Sequence, residues 1–208
     1  MRLVLIRHGE TEHNRDRTTL GRADVPLNAR GLRQANAIAA SFVRVPDAIY
    51  TSPLIRARAT ADTIARRTGL RASVDGDLVE MDVGELEHLS GAELRERHSE
   101  FMKQWLSPAV ADARMPGGEA LGEVQERARR FVDRMRAAEA AKTVVAVTHN
   151  FVILTALCHA LSLPLADFRK LRVGLASKSV IDITEHSCSV VSMNDVSHLI
   201  AAGLADDL

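Results

Sequence analysis

Apolar residues along the chain fall alternately into short unbroken runs and helical stripes. Leu3-Val4-Leu5-Ile6 is a continuous run of four, the pattern of a strand buried on both faces. Leu32, Ala35, Ala39 and Phe42 then recur at helical spacing behind Asn28, a good capping residue, and predict a helix over 28–43. Ala48-Ile49-Tyr50 predicts a second short strand, ended by Thr51-Ser52-Pro53. The Ala- and Arg-rich segment 54–67 predicts a helix closed by Gly69. Weaker extended pieces follow at 72–74 and at Leu78-Val79, then two short helical stretches within 91–106 and a turn at Pro116-Gly117-Gly118. A long amphipathic helix is predicted over 119–141, with Leu121, Val124, Ala128, Val132 and Met135 on one side. Residues 143–148 make the clearest buried strand and 151–161 the clearest buried helix. Segments 180–184 and 189–192 read as a closing pair of strands.

Strands alternating with helices imply βαβ units. The expected fold is α/β: a three-layer αβα sandwich whose central sheet is mainly parallel, built as one domain over residues 1–208. Ligands of such sheets bind beyond the C-terminal ends of the strands. Those ends are the residues after Ile6, Tyr50, Val79 and Val147.

Composition narrows the function. Hydrophobic residues make up 46% and charged residues 26%, ordinary for a globular protein and too apolar for a disordered one. Lys plus Arg and Asp plus Glu balance at 27 each, so no global field draws the chain to nucleic acid or to an anionic membrane. No apolar run reaches the roughly 18 residues of a membrane span. The first residues do not resemble a signal peptide, and Cys158 and Cys188 stand far apart, which fits a reducing cytoplasm. Residues 1–72 nevertheless carry 13 Lys/Arg against 6 Asp/Glu, a local excess suited to handling anions.

The four strand ends carry compatible chemistry. Arg7-His8 follows the first, Arg56 lies shortly after the second, Glu80 follows the third and His149-Asn150 the fourth. Singly, each has an ordinary reading: a solvated arginine, a hydrogen-bonded histidine, a loop carboxylate, or a helix cap in the case of Asn150. Together they suit phosphoryl transfer. Arginines hold phosphate oxygens bidentately, a neutral imidazole attacks phosphorus, and a second, protonated imidazole donates to another oxygen. A carboxylic acid protonates the leaving alkoxide. Its pKa is expected to rise in a partly desolvated pocket, against the pull of the arginines. Capping by Asn150 would also aim free backbone N–H groups at an anion beside His149. No cluster of carboxylates suggests Mg²⁺, and neither metal nor cofactor is expected. His13, His88, His98, His159, His186 and His198 lack comparable neighbours and receive no role.

The stretch Leu3 to Asn14, LVLIRHGETEHN, resembles the histidine phosphatase superfamily, the phosphoglycerate mutase-like group. Further similarities follow in that family's order. They are the Gly-x-x-Asp-x-Pro-Leu loop at Gly21–Leu27, Gly31-Leu32-Arg33-Gln34-Ala35, and Ser52-Pro53-Leu54-Ile55-Arg56-Ala57 with Thr60-Ala61. Leu78-Val79-Glu80 with Gly84, Pro116-Gly117-Gly118-Glu119 and Val147-Thr148-His149 complete the series. The resemblance implies His8 as the nucleophile that becomes phosphohistidine and Glu80 as general acid and base. It implies Arg7, Arg56 and His149 as the phosphate pocket, with Asn14 as a further phosphate ligand; Gly21 and Asn150 are expected to contact substrate. Leu20 stands where Gln or Thr is common, Gly84-Glu85-Leu86-Glu87-His88 replaces Gly-x-Trp-Glu-Gly, and Asn150 replaces a frequent Gly. These departures bear on substrate identity and leave the phosphoryl chemistry intact.

The expected activity is a metal-independent phosphatase acting on a small phosphorylated metabolite. The rival is a 2,3-bisphosphoglycerate-dependent phosphoglycerate mutase, and a non-catalytic phospho-ligand binding protein ranks third. A mutase must shield phosphohistidine from water with a basic lid. Here 91–116 is short, with Arg95, Arg97, Lys103 and Arg114 its only cations, and the chain ends Asp206-Asp207-Leu208. The apolar closing strands are suited to pairing across a homodimer.

Overall fold

The computed structural model describes residues 1–138 and 142–205. The chain runs through β1 (Arg2–Arg7), a one-turn helix α1 (Glu12–Arg15), α2 (Ala29–Ala40), β2 (Ala48–Thr51), α3 (Ile55–Thr68) and β3 (Ala72–Val74). Two 3₁₀ turns, Gly76–Leu78 and Gly84–Leu86, precede α4 (Gly91–Arg97), α5 (Ser99–Trp105) and α6 (Leu121–Ala138). Then come β4 (Thr143–Thr148), α7 (Asn150–Ala160), β5 (Lys178–Ile183), β6 (Cys188–Asp195) and α8 (Ser197–Ala201).

Six strands form one sheet in the order β3-β2-β4-β1-β5-β6. β1 pairs in parallel with β4, β2 with both β4 and β3, while β5 runs antiparallel to β1 and to β6. The mainly parallel α/β sheet is thus the expected one. The alternation of strand side chains splits the interior in two. Leu3, Leu5, Val144 and Ala146 face α6 and α7, joined by Phe131, Val124 and Ile153. Val4, Ile6, Val145 and Val147 face the other way, against Ile38 of α2 and Ala57, Ala61 and Ile64 of α3. Helices cover both faces, which is why the central strands are apolar throughout.

Several local expectations shift. The helix predicted over 28–43 is α2, capped by Asn28 as expected, but Leu32 is 51% exposed and Gln34 lies inside. α2 packs closely on the small Ala57 and Ala61 of α3, and Gln34 Oε1 accepts the Glu10 N–H at 2.8 Å. Backbone contact is equally tight at the start of the helix. A Cβ on Gly9 would lie 2.5 Å from Gly31 O, and one on Gly31 2.1 Å from Glu10 O, so the turn after β1 requires both glycines. Leu78 belongs to a 3₁₀ turn rather than a strand, stabilised by Asp75 accepting from Asp77 N–H. α6 begins at Leu121; residues 139–141 of the predicted helix and the acidic Asp206-Asp207-Leu208 lie outside the described residues. The closing strands are longer than predicted, and β6 forms a sheet edge with Val191 and Met193 exposed. Among the described residues no helix is long and apolar enough to cross a membrane.

Candidate active site

β1 and β4 lie side by side at the centre of the sheet and end together, Arg7 opposite Thr148. The residues that follow, His8 and His149, therefore emerge as neighbours, with ring centroids 5.0 Å apart and planes tilted by 59°. His8 is buried, and its backbone continues the ladder, donating to Thr148 O and accepting from Ala176 N–H. His8 Nδ1 lies 2.7 Å from Gly9 O. A carbonyl only accepts, so Nδ1 carries the proton and Nε2 keeps its lone pair. The Arg56 Nε–H points at that lone pair from 3.3 Å.

Arg56 comes from the first turn of α3 and is completely buried. Its Nη1 donates to Ala23 O at 2.7 Å and its Nη2 to Gly21 O at 2.6 Å. Arg7 donates through Nη1 to Val173 O at 2.7 Å and to Asn150 Oδ1 at 3.4 Å. Among the described residues, neither guanidinium is hydrogen-bonded to a carboxylate. His149 Nε2 lies 2.7 Å from Ser52 Oγ, whose oxygen also accepts the Leu54 N–H. Among the described residues, the buried atoms Arg7 Nε and His149 Nδ1 have no hydrogen-bond partner.

Glu80 reaches this cluster from the segment after the first 3₁₀ turn, not from a strand end. Its Oε1 accepts from Met81 N–H at 2.8 Å and from Phe151 N–H at 3.3 Å. The α7 N-terminus thus spends one of its free N–H groups on Glu80. His149 is the N-cap of that helix and Asn150 its first residue, a shift of one from the sequence expectation. Gly21 contributes backbone: its N–H goes to Glu87 and its carbonyl to Arg56. Asn14 gives its side-chain oxygen to Thr11, as part of a capping box on α1, and is not hydrogen-bonded to His8, Arg7, Arg56 or His149.

Burial dominates the electrostatics. Desolvation lowers His8 well below the usual imidazole value, helped by Arg56 and Arg7, and lowers His149 likewise, helped by His8 and the arginines. Both rings are neutral in this pocket. The protonated second imidazole expected from sequence is disfavoured here, because burial and two neighbouring guanidinium charges oppose it. Burial brings Arg7 down to about 10, with Glu80 opposing, and also lowers Arg56. Glu80 is raised by desolvation, against the Met81 N–H and the charges of Arg56, Arg7 and Arg127. One buried and one half-buried cation therefore face one carboxyl that resists ionisation. That arrangement suits a dianionic ligand, a nucleophilic nitrogen and a proton donor.

A second layer holds these groups in place. Arg127 of α6 donates to Asp77 O at 2.9 Å and Val79 O at 2.5 Å, and pairs with Glu119 at 3.3 Å. Glu119 also accepts from Asp82 N–H and from Arg22, whose Nε donates to Glu80 O at 3.2 Å. The backbone on both sides of Glu80 is thereby clamped. Sequence reasoning gives no individual role to Ser52, Arg22, Glu87, Glu119 or Arg127. The first four lie inside the family-like segments quoted above, and Arg127 stands three residues after Val124 and four before Phe131, inside the apolar stripe of its helix. Among the described residues no three His, Cys, Asp or Glu side chains gather as metal ligands.

The histidine phosphatase superfamily (branch 1) family model matches residues 3–196. The Bifunctional protein Rv2228c of Mycobacterium tuberculosis is 37% identical over 201 residues, which are 95% of this chain and 55% of that protein. The chain therefore spans about half the length of that relative. Phosphoserine phosphatase 1 of Hydrogenobacter thermophilus is 30% identical, over 96% of this chain and 94% of that one. The Probable phosphoglycerate mutase GpmB of Escherichia coli O1:K1 is 30% identical over 98% and 97%. Among solved structures, the mycobacterial glucosyl-3-phosphoglycerate phosphatase Rv2419c is 31% identical with a TM-score of 0.84, covering 93% of this chain and 98% of its own. The paired histidines at the ends of β1 and β4, the two arginines beside them and these matches lead to one conclusion: the chain belongs to branch 1 of the histidine phosphatase superfamily.

Proposed function

We propose that the protein is a metal-independent phosphomonoesterase that hydrolyses a small phosphorylated metabolite through phosphohistidine. The carrying observation is the pair of guanidiniums, Arg56 fully buried and Arg7 half-buried, that among the described residues have no hydrogen-bonded carboxylate. Buried charge left uncompensated is costly, and a phosphoryl dianion would compensate both at once. His8 Nε2 attacks phosphorus, forming the N–P bond as the P–O bond to the alkoxide breaks. Glu80 passes its proton to that alkoxide. Water then attacks the phosphohistidine, Glu80 takes up a water proton, and inorganic phosphate leaves with His8 restored. Arg7, Arg56 and a neutral His149 bearing hydrogen on Nδ1, with Ser52 donating to Nε2, hold the equatorial oxygens. Asn14 is a further phosphate ligand in this reading, and Gly21 and Asn150 contact the substrate. Phosphoserine and glucosyl-3-phosphoglycerate, the substrates named for two relatives, are phosphate esters of the proposed kind.

Similarity to a phosphoglycerate mutase keeps phosphoryl return to substrate as the second reading. Against it, the cations expected of a basic lid are mostly engaged: Arg97 pairs with Glu93, Lys103 with Glu100 and Arg114 with Glu123. The deciding experiment is a rapid-quench time course on enzyme phosphorylated at His8. Prompt release of inorganic phosphate without an acceptor supports the phosphatase. A phosphoenzyme that persists in buffer but discharges onto phosphoglycerate makes it a mutase.

A further inference from the structure

Arg56 is positioned by a loop rather than by an acid. The carbonyls that hold its two Nη atoms belong to Gly21 and Ala23, and the same short loop turns its N–H groups the other way. Glu87 receives them: Gly21 N–H at 2.6 Å, Arg22 N–H at 3.0 Å and Ala23 N–H at 3.2 Å. Three successive amides on one carboxylate form a closed anion cradle. One peptide unit is bonded at both ends. Its N–H, on Arg22, meets Glu87 and its C=O, on Gly21, meets Arg56. Carboxylate, peptide and guanidinium thus form one hydrogen-bonded chain. Such chains polarise in series, so the Glu87 charge strengthens the carbonyl that grips Arg56.

The spacing admits no looser arrangement. A Cβ on Gly21 would sit 2.6 Å from Val83 Cγ2 and 2.8 Å from Met81 O, so the loop lies directly on the segment that carries Glu80. Glu87 itself is anchored because its N–H bonds Gly84 O, while the next residue, His88, donates to Thr19 O. Arg22 extends the same loop to the carbonyl of Glu80. The result leaves the second hydrogen on each Arg56 Nη free of the protein contacts described, in a plane fixed by the two loop carbonyls.

We infer that Glu87 is a positioning residue for phosphoryl transfer, acting through the Gly21–Ala23 backbone to hold Arg56 in its phosphate-gripping orientation. This rests on the phosphatase reading and adds to it a residue that never meets substrate. Glu87→Gln keeps the size but removes the charge and turns an amide NH₂ toward backbone N–H groups.

The test is a double-mutant cycle of Glu87→Gln with Arg56→Lys, read as kcat/KM on p-nitrophenyl phosphate. A lysine has one nitrogen and cannot span both carbonyls. Glu87→Gln should lower kcat/KM roughly 10- to 100-fold with Arg56 present, the range for a charged hydrogen bond. In the Arg56→Lys background it should cost under about threefold, since coupling is lost with the partner. The same factor in both backgrounds overturns the proposal, because a purely architectural residue would cost the same in each. Titration with orthophosphate provides the same cycle without turnover and should weaken in parallel. If Glu87→Gln does not fold, Glu87→Asp replaces it in the cycle; failure of both to fold makes Glu87 a folding residue and also overturns the proposal. Absence of turnover in the unmodified protein would count against the phosphatase reading alone, since the orthophosphate cycle still reports on Glu87.

Discussion

Glu80→Gln isolates proton transfer from phosphate binding. The amide oxygen of Gln can still accept the Met81 N–H now bonded at 2.8 Å, so the side chain has reason to stay in place. Arg7, Arg56 and both imidazoles are untouched. What disappears is the transferable proton, whose retention burial favours by raising the Glu80 pKa. A positioned general acid contributes about 10²- to 10⁴-fold, equivalent to roughly 3 to 5 kcal/mol of barrier. That contribution matters only where the leaving group needs a proton. With an alkyl phosphate, phosphoenzyme formation should therefore slow by about 10³-fold, the middle of that range. With p-nitrophenyl phosphate, whose phenolate departs unaided, the loss should stay below about tenfold. Rapid-quench measurement of phosphohistidine formation on both substrates decides the matter. Equal losses would remove Glu80 from the role of acid and leave it a structural carboxyl bound to the α7 N-terminus.

Three further outcomes are expected. Turnover should survive exhaustive EDTA treatment, since arginines and imidazoles supply the positive charge in the proposed mechanism; activity abolished by EDTA and restored by Mg²⁺ would refute it. The folded-state pKa values of His8 and His149 lie well below 6.5, so the unfolded chain binds protons that the native state does not. Stability should then rise with pH through this range and fall as pH drops below about 6.5, by up to about 1.4 kcal/mol per pH unit for each ring. Urea midpoints at pH 7.5 and 5.5 should differ less for a His8→Asn/His149→Asn variant, and an unchanged pH slope would contradict the assignment. Arg127→Met leaves Glu119 with Arg22 and the Asp82 N–H but strands the carbonyls of Asp77 and Val79, and should cost about 3 kcal/mol in urea unfolding; a loss under about 1 kcal/mol would show that the clamp on the Glu80 segment is weak.

What the sequence made legible follows from how local each interaction is. β1 and β4 announce themselves because a strand covered on both faces has no alternative to continuous apolar residues, and the chemistry directly after them is read by position. The misplacements have local causes as well. Leu32 fits the helical stripe of α2 but lies outside, because α2 packs on the small Ala57 and Ala61 and turns Gln34 inward to satisfy the Glu10 backbone. Leu78 looked extended because a buried apolar residue in a 3₁₀ turn has no periodicity of its own. The supporting layer was beyond reach for a different reason. Glu87 meets Gly21 across 66 positions and Arg22 meets Glu119 across 97, and an exposed-looking charge gives no sign of the backbone it will grip.

The place of β1 in the sheet has a consequence for how the molecule comes apart. β1 is hydrogen-bonded on both edges, to β4 and β5, whereas β3 and β6 are the terminal strands. Amide hydrogens of Leu3 to Ile6 should exchange only through global opening, and those on the free edge of β6 through local fraying. The proposed nucleophile, His8, directly follows the end of this doubly paired strand. Gradual loosening of the periphery should therefore leave His8 and His149 side by side, and in denaturant the imidazole pair should separate only as the sheet itself dissolves.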